Sequence, residues 1–118
     1  MLHAANLLQI ADECGRDIDA LLETLQDEAE LFASPNTLAA VERHMQTMAY
    51  TLGQFDATLH QHVQEVDWVG WQAVHEALVH QLQPRRELVW YAVRALVPAT
   101  RALLHRARRR NPGLFLVP

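Results

Sequence analysis

Apolar positions recur every three or four residues along most of this chain, the period of a helix buried on one side. From about residue 4 to 30 the stripe is Leu7, Ala11, Cys14, Ile18, Leu21 and Leu25. Asp12, Asp17, Asp19, Glu23 and Asp27 fill the other faces. A second stripe, Leu38, Val41, Met45, Met48, Leu52, Phe55 and Leu59, predicts a helix over about 35–60. Ser34-Pro35 marks its start, because serine caps helices and proline is tolerated in the first turn. Residues 60–67 read as a polar connection, and Asp67 as the N-cap of a third helix over about 68–82. That helix carries Trp71, Val74, Leu78 and Leu82 on one face and ends at Gln83-Pro84. A fourth begins near Arg85 or Arg86 and carries Leu88, Val89, Val93 and Leu96. Pro98 should break it before a last helical segment, 99–110. The tail, 111–118, is expected to be loose or docked as a strap. The expected architecture is all-α, an up-down four-helix bundle with the last helix broken at Pro98, in a single domain over 1–110.

The length of 118 residues suits one core, and a chain half hydrophobic is unsuited to disorder. No apolar run approaches the roughly 20 residues a membrane span needs. The opening MLHAANLLQIADECGRD has neither a basic start nor a small-residue cleavage site, so a cytoplasmic location without membrane contact is expected. The single cysteine, Cys14, lies on the first stripe and reads as a buried thiol. Met45 and Met48 read as core filler, and Glu42 and His44, off the stripe, as surface.

Charge is distributed unevenly. Residues 1–67 hold two arginines against twelve acids, a net −10; residues 68–118 hold eight arginines against two acids, a net +6. There is no lysine. Such asymmetry predicts a dipolar molecule or a self-complementary dimer surface. Arginine's planar fork also suits phosphate.

The chemistry-bearing stretch is DWVGWQAVHEALVHQLQPRRELVW, Asp67 to Trp90. Two imidazoles, His75 and His80, share one helix and are followed by Arg85-Arg86. The stretch resembles the HepT-like proteins of the HEPN superfamily. In these a tryptophan-glycine step leads into a helix carrying Arg, four residues, His, one residue, Tyr, and a Val-Trp step follows. Trp68 and Gly70 match the first step, His80 the histidine, and Val89-Trp90 the last step. His75 stands at the arginine position and Leu82 at the tyrosine position. The resemblance extends over about 5–105 through Glu30-Leu31-Phe32, Ser34-Pro35-Asn36-Thr37, Ala40-Val41-Glu42-Arg43 and Val97-Pro98. It implies a four-helix-bundle homodimer, a metal-independent ribonuclease site at the dimer cleft, and a minimal nucleotidyltransferase antitoxin that modifies the tyrosine with AMP. Leu82 cannot accept that group.

On that resemblance, His80 is the candidate acid or base for RNA cleavage and His75 a candidate charge stabiliser when protonated. Arg85, Arg86 and Arg94 are candidate phosphate contacts. Positions five apart on a helix point roughly 140° apart, so one helix does not easily aim both histidines at one atom. Without the chemistry, the same fold would serve as an RNA-binding or nucleotidyltransferase-binding subunit. A helical bundle with no nucleic-acid role is the third alternative. No cofactor or metal is expected: His60-x-His62 supplies two ligands only. The tryptophans and the run Arg106, Arg108, Arg109, Arg110 read first as packing and as helix-end cations, and second as base and phosphate contacts.

Overall fold

The first stripe makes one long helix and one short one. In the computed structural model, which describes residues 4–81 and 85–115, α1 spans Ala4–Leu22 and α2 spans Glu28–Phe32. The expected single helix over 4–30 is corrected by a cap. Asp27 accepts a hydrogen bond from the Glu30 backbone N–H (2.9 Å), and the Glu30 carboxylate accepts one from the Gln26 N–H (3.0 Å). The acid-x-x-Glu spacing that starts a helix is present in Asp27–Glu30, but the apolar stripe runs past it.

The second stripe is divided in the same way. Helix α3 spans Pro35–Gly53, and α4 spans Ala57–His62 with Asp56 capping it through the Leu59 N–H (2.8 Å). Phe55 and Leu59 stay buried on either side of the break, so burial alone does not register it. The expected polar connection over 60–67 is therefore helical as far as His62, and its Val63 and Val66 are core residues. Ser34 precedes α3 without capping it; its hydroxyl donates instead to the Glu30 carbonyl (2.8 Å).

Helix α5, Trp68–His80, starts as expected, with Asp67 accepting from the Gly70 N–H (2.8 Å). A Cβ on Gly70 would meet that carboxylate where it now lies, so a larger residue there would require the Asp67 side chain to shift. Gln81 ends the helix in the left-handed region at φ 55°. Leu82, Gln83 and Pro84 lie outside the described residues.

The last helix is not broken at Pro98. Helix α6, Arg85–Tyr91, passes through a π segment, Ala92–Leu96, into α7, Val97–Arg110. Within this widened stretch the Val97 N–H bonds to the Ala92 carbonyl. Proline at 98 has no N–H for the carbonyl four residues back, and its ring would crowd that carbonyl. Widening the preceding turn relieves both problems without ending the helix. A short 3-10 turn, Pro112–Phe115, lies against α1 and α7.

Among the described residues all regular structure is helical. Helix α1 packs chiefly on α3, α3 on α5, and α7 back onto α1. The core joins Ile18, Leu31, Val41, Met45, Met48, Leu52, Val74, Val89, Leu96 and Val97, all nearly inaccessible. Cys14 is buried among them, and burial raises its thiol pKa, with Asp17 and Glu13 adding to the effect. No described helix is long and apolar enough to cross a membrane.

Part of the uneven charge is paired between the two halves. Arg101 bonds to Asp12 (3.2 Å) and Asp19, and His105 lies 2.8 Å from Asp12. Arg85 pairs with Glu42 (2.7 Å) and Arg86 with Glu28 (3.0 Å). Gly15 allows the α1–α7 seam to close, because a Cβ there would collide with the Arg101 side chain.

Candidate functional site

The two histidines of α5 go to different places. His75 is half-buried and faces an open groove of about 400 Å³. The groove lies between the end of α3 (Tyr50), the break after it (Phe55), α4 (His60) and the first two turns of α5 (Trp68, Trp71, Gln72). His80 lies outside it, at the last position of α5, with its imidazole 59% exposed and 3.4 Å from Glu76. Within one chain they do not form an acid–base pair, as the helical angle between them requires.

The three arginines expected to contact phosphate are also elsewhere. Arg85 holds Glu42, whose side chain is only 15% exposed, so the expectation of a surface glutamate at 42 is corrected. Burial raises the Glu42 carboxyl pKa; the charge and hydrogen bond of Arg85 oppose this without cancelling it. Arg86 holds Glu28 and stacks on Phe32 (4.6 Å). Arg94 lies over Trp90 (5.5 Å) beside Leu22 and Leu25. None of the three lines the groove that receives His75.

The groove itself is aromatic. His60 stacks on Trp68, centroids 4.0 Å apart and planes 23° from parallel, and Phe55 meets Trp68 edge-on at 5.9 Å. Tyr50 stands at the rim, 61% exposed. Two polar atoms of the wall, Trp68 Nε1 and His75 Nδ1, are buried without a hydrogen-bond partner. Such groups are uncommon and costly, and native proteins keep them chiefly where a function uses them. One turn on, Trp71 is the contrasting case: it is buried, and its Nε1 donates to the Thr100 hydroxyl (2.9 Å).

Sequence reasoning placed Trp68 and Trp71 together as packing residues and His60 in a solvated loop. The signal for the groove was available in the spacing of His60, Trp68 and His75, but only the break at Gly53 brings α4 beside α5. His60 and His62 line different grooves and do not converge. No protein-family model, curated protein or solved structure matches this chain.

Proposed function

We propose that this chain is the HepT-like member of a HEPN/minimal-nucleotidyltransferase toxin–antitoxin pair, and that its own task is to bind RNA. On this reading α1, α3, α5 and the α6–α7 rod are the four helices of the up-down bundle. The protein then works in the cytoplasm as a homodimer. The observation that carries the RNA-binding task is the separation of the chemistry. His75 enters an aromatic groove with a ring nitrogen unsatisfied, while His80, Arg85, Arg86 and Arg94 are distributed elsewhere. An aromatic groove suits bases, and a lone histidine in it suits recognition better than a two-group cleavage step.

The second reading is a metal-independent endoribonuclease assembled across the dimer. It is favoured by the Glu76–His80 pair, which shares the outer face of α5 with exposed Val69 (78%) and Val79 (42%). A second copy covering that face would bring two His80 imidazoles together, each next to a carboxylate.

The deciding experiment incubates labelled single-stranded RNA with wild type and His80→Ala in EDTA, from about pH 5 to about pH 8, the range over which histidine titrates. The binding reading expects both proteins to shift the RNA and neither to cut it. Cleavage lost in His80→Ala moves the assignment to the endoribonuclease. RNA that is neither shifted nor cut rejects both.

A further inference from the structure

Two grooves of the molecule share one wall, the six-residue helix α4. His60 faces the aromatic groove, and the next two residues, Gln61 and His62, face a second groove of about 410 Å³. Consecutive helical residues are rotated by about 100°, so α4 presents one side to each. The second groove is polar and is completed from the far end of α7 by Arg110 and Asn111, with Glu65 at its edge.

The arginines at that end differ from the four that are paired. Ion pairs among the described residues engage Arg16, Arg85, Arg86 and Arg101. Arg106, Arg109 and Arg110 are exposed and make none, and their spacing of three and four places them on one face of α7. Three uncompensated guanidinium groups outweigh the single charge of Glu65. A stacking surface and the Arg110 end of a cationic face of α7 therefore meet at the same short helix, the combination by which proteins hold unpaired polynucleotides.

We propose that single-stranded RNA crosses the molecule over α4. Its bases stack in the groove of Tyr50, His60 and Trp68, and its phosphates run along Arg110, Arg106 and Arg109. This rests on the RNA-binding reading above and deepens it, because it assigns the contacts to residues outside the HepT-like motif. Unpaired strands are required because a duplex hides its base faces from the aromatic groove. Once a base enters, a small turn of either ring gives its polar edge Trp68 Nε1 and His75 Nδ1 as partners.

The test measures anisotropy of a labelled oligouridylate of about 12 nucleotides, within the usual site size, across a salt series. The variants are Tyr50→Ala and the triple variant Arg106→Ala/Arg109→Ala/Arg110→Ala, both at exposed positions and both checked for wild-type melting. Tyr50→Ala should weaken binding about tenfold at every salt concentration, the usual loss for one stacked base. The triple variant should flatten the slope of log affinity against log salt by about 2, since each lost phosphate contact in single strands removes roughly 0.7. A hairpin duplex of equal length should compete poorly. Wild-type affinity and slope in both variants would reject this track while leaving RNA binding intact at another site. A wild-type protein that ignores the oligonucleotide even at low salt would reject the track and the RNA-binding reading together. Equal competition by the duplex would overturn the single-strand requirement.

Discussion

Trp68 and Trp71 lie one turn apart on α5 and both line the groove, yet their indole N–H groups meet different surroundings. Trp71 points into the packed seam, where its indole N–H meets Thr100 of α7 and nearby charges are paired across helices. Trp68 points to the groove end, where its indole N–H meets nothing and an imidazole lies flat on its ring. The seam is complete in itself, with its polar groups satisfied by the fold. The groove end is stable without being complete. Buried polar atoms that the fold leaves unsatisfied are the places to look for what the molecule does.

The sharpest way to break this comparison is to make the same substitution at both positions. Trp71→Phe should cost about 2–3 kcal/mol, because it strands the buried Thr100 hydroxyl and leaves part of an indole's volume empty. Trp68→Phe should change stability by no more than about 0.5 kcal/mol, since the lost contact is offset by removing an unsatisfied N–H. Urea denaturation of the two variants gives both numbers. Equal losses would mean that bonding of the indole does not distinguish the two regions.

The seam was legible in the sequence and the groove was not, for a physical reason. Packed residues such as Ile18, Val41 and Met45 repeat at the helical period, and periodic burial is what an apolar stripe encodes. The groove depends on where helices stop and restart, and these points are local: Asp27 and Asp56 start new short helices inside stripes that hydrophobicity carries through unbroken. Pro98 misled in the opposite direction, because a π turn carried the helix through it. His75 and His80 were found together because they share a helix, and the angle between them correctly warned that they would separate. Arg85 and Arg86 suggest phosphate contacts in a linear sequence, because nothing there shows Glu42 and Glu28 lying opposite them.

Asp67 connects the two regions and offers a smaller test. One of its oxygens caps α5 and the other accepts from the Tyr91 hydroxyl (3.0 Å) at the end of α6. That hydrogen bond, with slight burial and the carboxylate charge, raises the Tyr91 phenol pKa. Asp67→Ala should cost about 1 kcal/mol, the usual loss for a missing N-cap. Asp67→Asn keeps the cap and should cost only a few tenths. If thermal melts place Asn and Ala together, the carboxylate charge or the Tyr91 contact outweighs the cap.

The smallest expected effect concerns the seam alone and has a definite sign with pH. Partial burial raises the Asp12 carboxyl pKa, but the hydrogen bonds and charges of His105 and Arg101 lower it more, so it ends below the ordinary value of 3.8. A carboxyl depressed in the folded state binds its proton more readily when unfolded. Its contribution is therefore complete above the unfolded value, near pH 4, and is lost as pH falls through the folded one. The partners are partly exposed, so solvent screening limits the effect to about 1 kcal/mol or less. Asp12→Asn should lower stability near neutral pH by that amount and flatten the acid side of the stability curve. None of these three residues lines the aromatic groove, so RNA affinity measured on the same samples should not move. A variant whose acid limb keeps its wild-type slope would assign acid sensitivity to other carboxylates and leave the Asp12–Arg101–His105 contact as packing alone.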